Sequence, residues 1–291
     1  MSAVFLVSSA FVGLGCAYTP HEAHHPELFA ASRSSEISGG DGNAHAAQPQ
    51  LAFVGAPPAP GALVKVTPVK HTSGDDSLAF TTDPTATPAF RYAKLDRSSC
   101  EAELTKRSIP FAPVQDARGV LAPLRLTGTI RGIAFHSGIP ESQRSTSPIE
   151  IFDCRLVLAL DDFAGILASH DIVEVIHMSV YRPPPSRRWP AGKLGQRHDG
   201  ALALDAGTFK KRDGTTLSVE KDFHGRIGAK TCGPNTGPWP VTPEATELRQ
   251  IVCDAADAHI FQVELTPDYN RPHRNHFHLE VTPNVSWFLV H

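Results

Sequence analysis

Near the C-terminal end of the chain, His276-Phe277-His278-Leu279-Glu280-Val281 alternates polar and apolar residues without a break. A period of two is that of a β-strand, whose side chains point to opposite faces in turn. Phe277, Leu279 and Val281 then share one face, and His276, His278 and Glu280 the other. The two imidazoles stand roughly 6–7 Å apart along the backbone, so one can be offered to a metal while the other is held beside it. With His273, three histidines fall within six residues.

A strand of this kind needs a partner from elsewhere, and His198-Asp199-Gly200-Ala201-Leu202-Ala203-Leu204-Asp205 supplies one. His198 and Asp205 are seven positions apart, an odd number, so they cannot share a face of one strand. His198 therefore belongs to the turn before the strand, and Asp205 within it. A single His–Asp pair is ordinarily a surface or capping feature, but its coincidence with the three-histidine segment changes that reading. His198, Asp205 and His278 are the expected ligands of one Zn²⁺. Hydrolytic zinc sites keep three protein ligands and leave the fourth position to water. Two neutral imidazoles and one carboxylate leave the ion positive, which lowers the pKa of its water toward ~7 and polarises a carbonyl.

The remaining sequence sets limits. The 291 residues carry a net charge of -3 with 15 histidines, and no basic field suggests a nucleic-acid partner. Residues 1–16 are small and apolar and read as an export signal. Cys16 follows Gly13-Leu14-Gly15, similar to a lipoprotein cleavage box, so a lipid anchor at Cys16 and a place in the periplasm or cell envelope are expected. Four further cysteines remain, and Cys100–Cys154 and Cys232–Cys253 are the favoured disulfides, each closing within one neighbourhood of sequence. Residues 17–91, rich in Ala, Pro, Gly, Ser and His, read as a disordered tether. The cluster His21-Glu22-Ala23-His24-His25 within it is read as solvated.

The folded domain is expected over 92–291. Glu101–Arg107 suggests a short helix, and Leu121–Ile130 extended structure. Leu156, Leu160, Phe163 and Leu167 recur at helical steps, predicting a helix over Cys154–Ser169. Ile172–Ser179 reads as a strand and Leu202–Ala206 as another, the latter followed by a hairpin excursion at Lys211–Ser218 with Asp213-Gly214 as its turn. The charged run Lys210–Asp213 reads as a solvated turn. Thr242 is placed to cap a helix that begins with Pro243 and buries Leu248, Ile251, Val252 and Ala255. Ile260–Leu265 completes the strand candidates. Strands with segregated helices predict an α+β fold, an antiparallel sheet with flanking helices.

The residues from His198 to Asp205, with His276-Phe277-His278, resemble the zinc signature of the D-Ala-D-Ala metallopeptidases and the hedgehog-type fold that they share. That signature runs approximately S-x-H-x-x-G-x-A-x-D, then a distant H-x-H or E-x-x-H. His198, Ala203 and Asp205 match it, while Gln196 stands at the Ser position and Ala201 at the Gly position. Ser179-Val180-Tyr181-Arg182 resembles the S-x-Y-R segment of the same group, and His273-Arg274-Asn275-His276-Phe277-His278 is similar to the H-x-x-H-x-H of murein endopeptidases. Over about Cys100 to Val281 the chain is most similar to bacterial extensin-like C-terminal domain proteins.

The resemblance implies a zinc peptidase acting on peptidoglycan peptides, as carboxypeptidase or endopeptidase, with His198, Asp205 and His278 as ligands. His276 then takes the place of the base, since Asn275, at the position of the family Glu, cannot accept a proton. His273 would orient His276 or meet the substrate, and Arg182 would offer a cation to a peptide carboxylate or a developing oxyanion. Asp199 and Glu280 are reserve carboxylates. The rival expectation is a non-catalytic, zinc-containing wall-binding or structural module of the same fold. A carbohydrate hydrolase would need two facing carboxylates, and no such pair is evident.

Overall fold

The computed structural model describes residues 84–185 and 189–291. The expected leader, Cys16 and residues 17–83 of the expected tether lie outside the described residues. The last positions of that tether, 84–91, are part of the domain. A 3-10 turn at Pro84–Ala86 leads into helix α1 (Pro88–Ala93), with Pro88 presetting the first helical turn. Ala89, Phe90 and Tyr92 are buried, and α1 packs on the central helix described below. Six residues are too few to display a helical period, which is why the segment resembled linker. Helix α2 (Arg97–Lys106) starts earlier than the expected Glu101, because the Asp96 carboxylate accepts the Ser99 backbone N–H at 2.7 Å and caps it there.

Strands β1 (Phe111–Pro113) and β2 (Pro123–Leu126) pair antiparallel. After β3 (Ala134–Ser137) and the short α3 (Glu141–Arg144), strand β4 (Phe152–Asp153) returns to β2 and completes a three-stranded sheet. Helix α4 (Cys154–Ser169) leaves β4 directly, capped by Asp153. Its expected stripe is buried, but so are Val157, Leu158, Ala159 and Ala164. The helix is covered nearly all round, by α1 and α2 and by the larger sheet with its final long helix, so a single apolar stripe understated its burial.

The larger sheet begins with β5 (Ile172–His177) and β6 (Ala203–Lys211), which with β7 (Thr216–Ser218) forms the expected hairpin. Gly214 takes φ +92° in its turn, a conformation that side chains disfavour. Lys210 and Lys211 lie in β6 rather than in a solvated turn, 2.9 Å from Glu174 and 2.7 Å from Glu247 respectively. After α5 (Val219–Asp222), helix α6 (Pro243–Asp257) starts where Thr242 Oγ1 accepts the Ala245 N–H at 3.1 Å, and it buries the four predicted residues. Strands β8 (Val263–Leu265), β9 (Phe277–Glu280) and β10 (Leu289–Val290) complete the order β10-β8-β9-β6-β5-β3, with β7 also on β6. The fold is α+β. Its central strands are antiparallel as expected, whereas the outer pairs β3–β5 and β8–β10 are parallel. The crossover through α4 makes the first of these possible, since parallel neighbours cannot be joined by a tight turn.

Disulfides join Cys100 to Cys154 and Cys232 to Cys253, the favoured pairing. The first ties α2 to α4 in the core. The second holds the 226–241 loop to α6, beside a buried ion pair between Arg249 Nη1 and Asp268 Oδ2 at 3.0 Å.

Glu264 fits this fold poorly. It lies opposite Leu279, on the core face of β8, fully buried, and neither carboxyl oxygen has a hydrogen-bond partner among the described residues. Burial pushes its carboxyl well above the ordinary 4.5, with the charge of Asp257 adding to the effect. The folded state thus holds this proton after the unfolded chain has released it, so stability falls as pH rises above 4.5. Glu264→Leu should raise unfolding stability by about 1–3 kcal/mol at pH 8 and by much less at pH 4, measured by urea unfolding at the two pH values.

Candidate metal centre

The register of β6 explains why Asp205 faces away from the core. On one side Asp205 pairs with His278 and Leu204 with Leu279. On the other, Thr208 pairs with Ile176 but Ala206 pairs with His177, leaving Gly207 as the extra residue of a β-bulge. Asp205 and Phe209 would share a face of a regular strand. The bulge reverses that parity, so Phe209 packs on Phe277 in the core, with ring centroids 5.8 Å apart, while Asp205 turns to the polar face.

His198 stands in the 3-10 turn Arg197–Gly200 just before β6, as the odd spacing required. Its Nδ1–H donates to the Val180 carbonyl at 2.8 Å, and its Nε2 lies 3.1 Å from Asp205 Oδ1. His278 brings Nδ1 to 3.0 Å from the same oxygen, and its Nε2 lies 3.1 Å from Glu280 Oε2. His276, just ahead of β9, places Nε2 3.4 Å from Asp205 Oδ1, while its Nδ1–H donates to Asn275 Oδ1 at 2.9 Å. The second carboxylate oxygen accepts from Ser179 Oγ at 3.0 Å and from Arg182 Nη2. Donor atoms of His198, Asp205 and His278 all lie within 4.8 Å of one another, and all three residues are buried.

The other expected site residues adjoin this cluster. The His273 ring lies 5.2 Å from the His276 ring, tilted to it, and meets that of His278 edge-on at 5.7 Å, with Nδ1 held by Asn270 Oδ1 at 2.6 Å. Arg182 is tied to Ser179 as well as to Asp205, yet its side chain remains 58% exposed, so part of the guanidinium faces solvent. Trp239 is 87% exposed. Trp189 lines a groove of about 350 Å³ with Arg118, Lys193 and Leu194.

Burial by itself would raise the Asp205 carboxyl, but hydrogen bonds from His198 and His278, with the nearby imidazole charges, hold it far below the usual carboxylate range. Burial opposes charge on His278 too, and is outweighed by Asp205 and Glu280, which raise it above 6.5. His276 is lowered, chiefly by burial. His273 falls to about 4, through burial and then the like charges of His276 and His278. An ionised carboxylate and two imidazoles, each with its other nitrogen matched to an acceptor, form a donor set suited to a divalent ion of the zinc type.

Several supporting residues were hidden in the sequence. Val180 acts through its backbone carbonyl, which residue identity cannot reveal. Ala201, at the position where the resembled signature has Gly, takes φ +53°, a conformation that favours glycine. Below β5, His177 is buried. Its Nε2 lies 3.5 Å from Glu150 Oε2, and Ser137 donates to Glu150 Oε1 through its backbone N–H and its hydroxyl. Burial disfavours the Glu150 charge, but His177 and Ser137 more than offset it and bring the carboxyl to about 2. This network supports the end of β5, from which Ser179 and Val180 follow.

Fold and cluster together define an α+β domain built around a buried His–Asp–His group. The chain matches the family model described as Extensin-like protein C-terminus over residues 98–289, and it belongs to that family. The match includes every residue of the cluster. Searches of curated proteins and of solved structures found nothing that matches.

In metal-free protein, His278 should therefore keep its proton above pH 6.5 while His273 gains one only near pH 4. Long-range ¹H–¹⁵N NMR titration checks both. Asp205→Asn should lower the His278 pKa, because one of the two carboxylates that raise it is then neutral.

Proposed function

We propose that this protein is a zinc-dependent peptidase acting on peptidoglycan peptides, related to the D-Ala-D-Ala metallopeptidases. The observation that carries the reading is the convergence of His198 Nε2 and His278 Nδ1 on Asp205 Oδ1, at 3.1 and 3.0 Å. These residues are the ones that match the zinc signature, and Ser179 and Arg182, from the S-x-Y-R segment, bind the same carboxylate. Zn²⁺ held by His198, Asp205 and His278 would polarise a peptide carbonyl and acidify a water.

The chain's own groups supply the remaining steps. His276 is suited to take a proton from the attacking water and deliver it to the leaving amine. Burial keeps its imidazole neutral, and the Nδ1–H bond to Asn275 leaves the lone pair on Nε2. His273, neutral for the same reason, backs the His276 ring and limits its rotation. The exposed part of Arg182 is available to a substrate carboxylate or to the oxygen that becomes negative in the transition state. An export signal and an anchor at Cys16 would bring the domain to an envelope substrate.

Incubating the zinc-loaded protein with muropeptides should release new amine termini, detectable by mass spectrometry. Chelation should abolish the release, and His276→Ala should slow it by about 10²–10⁴-fold. No new termini from the zinc-loaded wild type would refute the peptidase reading.

One observation favours a second reading, a non-catalytic zinc module. His276 Nε2 lies 3.4 Å from Asp205 Oδ1, close enough to serve as a fourth protein ligand and close the site. Cobalt substitution separates the two. If His276 is the base, His276→Ala leaves the visible Co²⁺ bands essentially in place; if it is a ligand, they shift and lose intensity.

A further inference from the structure

We infer that Glu280 is a positioning residue, which determines the nitrogen that His278 turns toward the metal by holding the proton on the other. The inference rests on the metal-binding reading above. A neutral imidazole can carry its proton on either nitrogen, and the hydrogen bond at one nitrogen decides which remains free to bind. His278 Nε2 lies 3.1 Å from Glu280 Oε2, and both residues project from the same face of β9. Once a cation takes the place of the proton that Nδ1 shares with Asp205 Oδ1, 3.0 Å away, a proton kept on Nε2 leaves the Nδ1 lone pair directed at the centre.

The two imidazoles are thus oriented by different devices. His198 donates from Nδ1 to the Val180 carbonyl and offers Nε2, whereas His278 donates from Nε2 to a carboxylate and offers Nδ1. The backbone carbonyl can only accept. The carboxylate also adds negative charge behind the ring, which makes the opposite nitrogen a stronger donor to a cation.

Glu280 is itself held in place. Thr282 Oγ1 donates to its Oε1 at 2.8 Å, and Arg197 Nε lies 3.7 Å from its Oε2. Arg197 directly precedes His198, so Glu280 also links the turn that carries one ligand to the strand that carries the other. Both carboxylate oxygens are engaged and the residue is buried, which makes it unsuited to serve as the general base. Loss of this carboxylate would leave the His278 ring free to rotate or to change tautomer, with its donor directed away from Asp205.

The test measures Zn²⁺ affinity by competition with a chromogenic chelator for the wild type, Glu280→Ala and Glu280→Gln, with thermal unfolding of each metal-free protein in parallel. Glu280→Ala should weaken zinc binding by about 10–100-fold. Glu280→Gln, whose amide oxygen can still accept the Nε2 proton, should lie between it and the wild type. In the zinc-loaded wild type, long-range ¹H–¹⁵N NMR should find the His278 proton on Nε2. If Glu280→Ala fails to fold, the Gln variant and the tautomer assignment decide. Variants less stable than the wild type yet equal to it in zinc affinity, or a His278 proton on Nδ1, would overturn the inference and leave the metal site standing. A wild type that binds no zinc would overturn both.

Discussion

The carboxylate of Asp205, almost closed to solvent, meets nitrogens of His198, His276 and His278 at one oxygen and the side chains of Ser179 and Arg182 at the other. A charge buried this deeply costs several kcal/mol unless partners surround it. Those partners come from three stretches of chain that are distant in sequence: the segment after β5, the turn before β6 and the start of β9. The carboxylate is therefore tolerable only when the middle of the sheet is assembled. The same convergence that makes the position tolerable gives it a donor set for a cation.

The scaffold supports this arrangement with unequal precision. Backbone hydrogen bonds from Met178 N–H to the Asp205 carbonyl and from Asp205 N–H to the Ser179 carbonyl fasten β6 to the chain leaving β5. The bulge at Gly207 lies beside them and allows the strand to serve two masters, a polar face at Asp205 and the core at Phe209. Arg182 is less constrained: its side chain is more than half exposed, so it retains freedom that the buried His198, Asp205 and His278 lack.

Much of this was legible in the residues. The alternation of Phe277, Leu279 and Val281 with histidines predicted the face shared by His276 and His278, and the odd spacing of His198 and Asp205 placed the first in a turn. Thr242-Pro243 marked the start of α6 because capping is local chemistry. Other features left no such trace. The bulge depends on pairing between β5 and β6, a relation between distant segments. The Val180 carbonyl carries no side-chain signature. Helix α1 is too short to display a period, and Glu264 is an exception that any polarity pattern would place at the surface. Glu150 and His177 are separated by a whole helix, and only the fold brings them together.

The two disulfides stand in unlike surroundings. Cys100–Cys154 is sealed in the core next to Asp153, whose backbone N–H bonds to the Ala201 carbonyl beside the His198 turn. Cys232–Cys253 is only partly covered and adjoins Thr231, which with Arg249 binds Asp268, the residue before Tyr269 and the His273 segment. A thiol reductant thus meets the second bridge first. Loosening would begin on the flank of His273 and His276, while the chain beside His198 and Asp205 kept its crosslink, so redox damage to this domain should be graded rather than all-or-none.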